Sequence, residues 1–308
     1  MLKKIIVAKD ETGDFDTLCA ALESVSGETE SVEIFVKKGA YFEKVIIDRP
    51  NVTIKGEDKD ETVIVYNDCA LRKDEKGEYL GTFATASLEV RPTAVNTVLD
   101  NLTVQNSAGY GKVVGQAVAL NIMADKAVVK NCRLIARQDT LMLWPCFQEA
   151  LADPDIYLRS YFENCYIEGD VDFIFGGAVS VFKNCDIFCT HRPEGYSCYV
   201  TAACTPANLK HGFVFFDCNI SGDAEKGSVY LGRPWTEGAK TVFIDTKATD
   251  VLCPELWSKW GKTRQHDPSF YAQNSFKDFF DAPEWTEVLS DEQTKEYTLE
   301  NIFGDWTP

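Results

Sequence analysis

The chain is poor in basic residues. Lys and Arg number 31 against 48 Asp and Glu, a formal net charge of −17 over 308 residues. That excludes nucleic acid and anionic membrane surfaces as natural partners, since clustered basic side chains hold both. Long apolar runs are also missing, and nothing approaches the ~20 residues of a membrane-crossing helix. The apolar part of Met1–Asp10 is too short for a secretory leader and reads as a first strand. The expected compartment is therefore the cytoplasm, or the outside of the cell if a leader was removed. No G-x-S-x-G elbow and no histidine-rich zinc motif occurs, and His191, His211 and His266 stand apart from one another. A serine hydrolase and a zinc site are excluded on that ground. Asn-Gly hairpin turns are absent, which counts against a β-sandwich. The eleven cysteines contain no C-x-x-C pair.

What is present is a repeat. With 45% hydrophobic and 26% charged residues the chain can bury a large core. From about residue 50 to about 250, short β-branched strands run into Asn, Asp or Gly turns, as in Val128-Val129-Lys130-Asn131-Cys132, Tyr161-Phe162-Glu163-Asn164-Cys165 and Val181-Phe182-Lys183-Asn184-Cys185. Asn164 and Asn184 are 20 residues apart, while Asn131 to Asn164 and Asn184 to Asp217 each span 33. A coil of 20 with loops of about a dozen residues inserted on some turns predicts an all-β fold, a single-stranded parallel β-helix. Cys132, Cys165, Cys185 and Cys218 share one context and are expected to stack as small core side chains. A helix is predicted from Phe15 to Val25 with Asp14 as N-cap, covering the open end of the stack. Ser290 and Gln293 form a capping-box pattern that begins a short C-terminal helix. There is no linker, so residues 1–308 are read as one domain. About 1–50 form the N-terminal cap and first coils, and about 250–308 an aromatic-rich tail packed on the helix.

Two aspartates occupy matching places in this repeat. Asp139 lies eight residues after Asn131, and Asp172 eight residues after Asn164. Equivalent positions on successive parallel rungs lie roughly 4.8 Å apart, and a carboxylate pair that close cannot easily hold two negative charges. One ionised and one protonated carboxyl give a nucleophile and a general acid together. Arg233 is a candidate to lower the pKa of one of them. Gln116 and Gln138 are neutral donors for a developing oxyanion, and Trp235 and Phe173 offer flat faces to a sugar ring. Spacing alone leaves the bland reading equally open: the aspartates cap turns, Arg233 makes a surface ion pair, Gln116 stacks along the rungs and Trp235 fills the core.

Gly115-Gln116-Ala117-Val118-Ala119-Leu120, Gln138-Asp139-Thr140-Leu141, Val171-Asp172-Phe173-Ile174-Phe175-Gly176 and Leu231-Gly232-Arg233-Pro234-Trp235 together resemble the motif series of the pectin methylesterases, in the same order and over nearly the whole chain. The resemblance, closest to short bacterial members without a leader, implies a right-handed parallel β-helix. It also implies hydrolysis of methyl-esterified galacturonate in pectin or oligogalacturonides, with methanol released and no metal or organic cofactor. By the same resemblance Asp172 is the nucleophile and Asp139 the acid and then base. Gln138 and Gln116 bind the oxyanion, Arg233 holds Asp172, Trp235 packs on the sugar and Thr82 touches substrate. Departures from the family pattern are Gly115 where histidine is usual, Thr201-Ala202-Ala203-Cys204-Thr205, Leu256, and a longer loop after Asp139, roughly 144–155.

The alternatives are another pectin-active β-helix protein: a lyase, a polygalacturonase or a non-catalytic sugar binder. The first two need calcium-binding carboxylate clusters or paired aspartates beside a histidine, neither of which the sequence offers. A binder is expected to have lost one of Asp139, Asp172, Gln138 or Arg233. A monomer is expected. The net charge of −17 should also repel long de-esterified chains at low salt and favour methylated or short oligomers.

Overall fold

Asparagine and aspartate can take the left-handed backbone conformation because a short polar side chain bonds locally to the main chain. The repeat uses this at each equivalent corner. Asn101, Asn131 and Asn164 have φ of 59°, 54° and 54°, and Asn184, Asp217 and Asp245 have 51°, 52° and 50°. Asn131 stands between the strands Ala127–Lys130 and Arg133–Ile135, so it turns the chain from one sheet into the next. Its amide donates to Asp100 Oδ1 at 2.9 Å, and Asn164 donates to Asn131 Oδ1 at 3.4 Å. The corners are thus tied rung to rung as well as along the chain.

The computed structural model of the protein describes residues 2–146, 153, 156–260, 269–276 and 283–308. The chain forms two compact units, residues 1–142 with 163–168 and residues 143–162 with 169–308. In the first unit, one parallel sheet orders Lys3–Val7, Val32–Val36, Val52–Gly56, Val98–Asp100 and Ala127–Lys130. A second orders Gly39–Phe42, Thr62–Tyr66, Thr103–Asn106 and Arg133–Ile135, and a third Val45–Ile47, Leu88–Val90 and Leu120–Ile122. The second unit repeats the plan. Val179–Lys183, Phe213–Phe216, Lys240–Ile244 and Phe270–Gln273 share a sheet, and Asp186–Cys189, Asn219–Gly222 and Lys247–Ala248 another. Val171–Gly176, Cys198–Ala203 and Val229–Gly232 form the third. Each unit is therefore a stretch of parallel β-helix, as the spacing predicts.

In-register stacking sets the core. Phe162, Phe182, Phe215 and Phe243 occupy successive rungs of the second unit with ring centroids 4.7, 4.4 and 4.2 Å apart and nearly parallel planes. Those distances are close to the strand spacing itself, so the rings stack because the backbone does. The four expected cysteines are buried. Their thiols reach main-chain carbonyls, Cys165 Sγ to Val129 O at 3.4 Å and Cys218 Sγ to Phe182 O at 3.5 Å.

The ends differ from expectation in detail. The N-terminal helix is shorter, Leu18–Glu23, with Thr17 as its N-cap. Phe15 instead bridges to Val7, and Asp14 accepts from Ile6 N at 2.8 Å, so both residues extend the sheet edge. Glu43 supplements the cap, its carboxylate accepting from Leu18 N and Cys19 N. The Ser290 capping box is present, on a helix Asp291–Lys295. A second short helix, Leu299–Phe303, follows. The strand Phe270–Gln273 continues its sheet beyond residue 250, where the Asn/Asp cadence in the sequence has already stopped. Trp285 packs edge-on to Tyr271 at 5.5 Å. Phe279 and Phe280, and most of the inserted loop expected at 144–155, lie outside the described residues.

Because Asn131 carries a left-handed turn, Asn131→Ala should cost about 1–2 kcal/mol. Asn131→Gly should cost less than Asn131→Ala, since glycine accepts that backbone. Urea denaturation of both variants checks this ordering, and equal losses would place the effect in the lost Asp100 bond alone.

Candidate active site

Asp172 sits inside a strand yet has φ of +49°. The strand Val171–Gly176 pairs Val171 with Tyr199 and Ile174 with Thr201, so the register slips across Asp172. Such a bulge re-aims one side chain out of the regular alternation. A non-glycine residue held there stores roughly 1–3 kcal/mol of backbone strain, which the surrounding sheet must hold in place.

Arg233 meets the displaced carboxylate. It follows the strand Val229–Gly232, and its own N–H donates to Thr201 O at 3.0 Å. Arg233 Nε donates to Asp172 Oδ1 at 2.8 Å and Nη2 to Asp172 Oδ2 at 2.7 Å. The guanidinium lies 3.8 Å from the ring centroids of both Tyr199 and Trp260, and Tyr199 stacks in turn on Tyr230 at 5.2 Å. Stacked aromatic faces and a bidentate fork leave the guanidinium few other orientations. Gly232 is required beside it, because a β-carbon there would lie 1.9 Å from Thr201 Oγ1. Tyr199 and Trp260 escape sequence reasoning, since neither lies in the motif that carries Arg233.

The charge on Asp172 reflects two opposed effects. Burial pushes its pKa above the ordinary carboxylate value, and the Arg233 hydrogen bonds and charge, then the charge of Arg192, pull it part of the way back. The net direction is upward. Arg233 lowers the pKa of one carboxylate, as expected, but desolvation outweighs it. Arg192, an isolated loop residue with no sequence signal, lies over the Tyr196 ring and donates to Ser197 O.

Trp235 is half-buried, its N–H donating to Ala203 O at 2.9 Å and its ring tilted against Phe175 at a centroid distance of 6.0 Å. Phe173 has no exposed surface. Its flat ring is a candidate face for a sugar in the sequence, but in the structure Phe173 goes into the core and presents no face. Phe175 is the phenylalanine that meets Trp235.

Asp139, Gln138, Gln116 and Thr82 belong to the first unit. Asp139 is buried, with φ of +67°, the same unusual backbone as Asp172. Thr140 anchors this turn by donating from Oγ1 to Glu168 O at 2.8 Å. Gln138 and Gln116 are half-buried and one rung apart, since Ala117 N donates to Gln138 O at 3.1 Å. Gly111 makes room for Gln138: a β-carbon there would lie 2.5 Å from Gln138 Oε1. Gly115 has φ of +79°, and a β-carbon would crowd Ala70 and Leu71 at 3.1 Å, which accounts for glycine in this first motif.

Thr82 opens the short turn Thr82–Ala84. Thr85 Oγ1 donates to Thr82 O at 2.7 Å and accepts from Val118 N at 3.0 Å. The buried Asn106 amide is shared among Asp68 O, Thr85 O and Val118 O at 2.9, 3.1 and 3.0 Å. Through these bonds the turn bearing Thr82 is locked to the segment that carries Gln116.

An Asp172 carboxyl with a raised folded-state pKa favours folding when protonated. That contribution is full below the unfolded value of about 3.9 and lost as pH rises through the raised value. Side-chain carboxyl NMR should show Asp172 titrating above the ordinary range, and Arg233→Gln should move it higher still. A shift downward in Arg233→Gln would contradict the balance described here.

The Pectinesterase family model matches residues 4–278. The chain is 31% identical to putative pectinesterase 11 of Arabidopsis thaliana over 316 residues, 98% of this chain and 80% of that one. Among solved structures, a pectin methylesterase from Yersinia enterocolitica is 30% identical with a TM-score of 0.80, covering 96% of this chain and 100% of its own. A pectin methylesterase in complex with a hexasaccharide is 26% identical with a TM-score of 0.84, over 98% of this chain and 97% of that one. The right-handed parallel β-helix expected from the resemblance is the fold of this chain. With the family model spanning most of its length and relatives alike from end to end, the chain belongs to the pectinesterase family of carboxylic-ester hydrolases.

Proposed function

We propose that this pectinesterase removes methyl groups from galacturonate units by a two-step displacement on Asp172. The observation that carries the proposal is the buried, bidentate Asp172–Arg233 pair, which fixes one carboxylate as an aimed anion. An Asp172 oxygen attacks the ester carbonyl carbon, and the carbonyl oxygen becomes an oxyanion. Side-chain N–H groups of Gln138 and Gln116 stabilise it, a kind of interaction whose loss costs about 10² to 10³ in rate. The intermediate collapses by breaking the bond to the methoxy oxygen, which takes a proton from Asp139 and leaves as methanol. Asp139, now ionised, draws a proton from water, and the hydroxide attacks the Asp172-bound acyl carbon. The bond from the acyl carbon to the Asp172 oxygen breaks, galacturonic acid leaves and gives its proton to solvent, and Asp172 returns to its ionised state. Asp139 finishes protonated, ready for another cycle.

Support for Asp139 in this role is its matching offset in the repeat and the left-handed backbone it shares with Asp172. The raised pKa of Asp172 sets the acid side of the pH profile, because the nucleophile must be ionised to attack. Trp235 presents its ring to the sugar, and Thr82 holds a neighbouring part of the chain. A likeness to a pectin methylesterase in complex with a hexasaccharide supports oligomeric substrates.

Wild-type protein should release methanol from highly methylated oligogalacturonides, and Asp172→Asn should lower kcat by roughly 10³-fold or more. Absorbance from an unsaturated uronide, with no methanol, would instead indicate a lyase. Thr85→Val removes the hydroxyl that ties Thr82 to Val118. It should raise KM by about 3- to 30-fold while kcat changes little, and Thr85→Ser should restore it. A fall in kcat at constant KM would show that the turn does not position substrate.

A further inference from the structure

A cavity of about 560 Å³ lies in the second unit and shares no residue with the Asp172–Arg233 pair. It is bounded by the segment 207–211, Lys240, Phe270 and the C-terminal stretch 287–297. Its size falls in the range of small-molecule sites. His211, which stands apart from the other histidines in the sequence, forms part of its wall and is 8% exposed.

His211 Nε2 is buried without a hydrogen-bond partner among the described residues. Leaving a polar atom so placed unpaired costs about 1–3 kcal/mol, so the position favours a ligand that can satisfy it. Burial and the charges of Lys210 and Lys240 hold the ring neutral, with a pKa of about 4. The ring stands edge-on to Tyr297 at 5.5 Å. A neutral imidazole nitrogen either donates or accepts according to tautomer, and a hydroxyl suits both cases.

The other walls narrow the choice. Lys240 Nζ donates to Gly238 O at 2.8 Å and Ala207 O at 3.3 Å, which leaves one of its three donors for a ligand anion. Glu287 and Glu296 also line the cavity and are exposed. Two carboxylates there disfavour a phosphate dianion but readily accept bonds from hydroxyls. Tyr297 and Leu289 supply apolar surface for a ring.

We propose that this cavity is a second saccharide site that binds a uronic-acid residue, with a hydroxyl on His211 Nε2, the sugar carboxylate at Lys240 and the ring against Tyr297. Only the choice of a uronic acid rests on the pectinesterase reading. In a chain of net charge −17, such a site gives an acidic polymer a local cationic hold outside the reaction centre.

The chain has three histidines, so imidazole NMR resolves His211 directly once His211→Phe has identified its signal. Digalacturonic acid titrated into Asp172→Asn protein should shift that signal saturably, with a Kd on the order of 1 mM. Lys240→Met should weaken binding about tenfold or more, and the neutral disaccharide galactobiose should bind at least about tenfold more weakly than the diuronate. The proposal is overturned if the His211 signal does not move up to roughly 50 mM, if Lys240→Met leaves the titration unchanged, or if both sugars bind alike. Methanol release by Lys240→Met from a short methylated oligomer should equal that of wild type; a loss there would tie the cavity to the reaction centre and overturn its independence. Since the titration uses a variant that does not turn over, its failure leaves the esterase reading to be judged by methanol alone.

Discussion

Parallel strands held in register at a fixed spacing are the constraint from which the rest follows. Once one coil lies on the next, every residue acquires a counterpart a few ångströms along the axis. Favourable repeats then multiply and unfavourable ones accumulate. Phenylalanines above phenylalanines build a stacked column, and asparagines above asparagines pass a hydrogen bond from corner to corner. Acidic side chains in register would repel, unless chemistry uses the repulsion or a cation relieves it. The Asp172–Arg233 pair is the relieved case within its own unit.

Positioning of that pair depends on irregularity inside the regular frame. A straight strand would send Asp172 along the ordinary alternation; the slipped register turns it aside. Arg233 is then kept from following solvent by two aromatic faces and by its own backbone bond to the neighbouring strand. The balance between burial and the guanidinium matters more than either alone. Burial disfavours the charged carboxylate by removing its water, and the arginine favours it by charge and by two hydrogen bonds. In the first unit the same economy appears in neutral form. Asn106 and Thr85 spend their hydrogen bonds on carbonyls and amides of three separate segments, so that Thr82 and Gln116 are set by the frame.

Much of this was legible in the sequence, for reasons that can be stated residue by residue. The corners were readable because few residues accept a left-handed backbone and the repeat spells them as Asn or Asp. The cysteine positions were readable because Cys132, Cys165, Cys185 and Cys218 each follow an Asn or Asp corner and recur in one context. Asp139 and Asp172 stood out through equal offsets, and Arg233 through its motif. What escaped depends on contacts between distant parts of the chain. Tyr199 lies in the strand Cys198–Ala203 and Trp260 much further along the chain, and nothing local marks them as clamps on Arg233. Phe173 offers a flat ring in the sequence, but its burial is a property of the packed coil. The direction of the Asp172 shift needed burial, which no spacing reports. The N-terminal helix was drawn too long because Asp14 and Phe15 resemble a cap and a first apolar turn, whereas their bonds to Ile6 and Val7 win.

The left-handed backbone shared by Asp139 and Asp172 has a practical corollary. Both aspartates occupy a conformation that asparagine, their nearest neutral counterpart, adopts at corner after corner of the same chain. Exchange of carboxylate for amide at either position therefore asks nothing new of the main chain, whereas alanine would add strain of its own. The backbone at these two positions is thus indifferent to the charge carried there, and either aspartate can be neutralised without a new strain in the main chain.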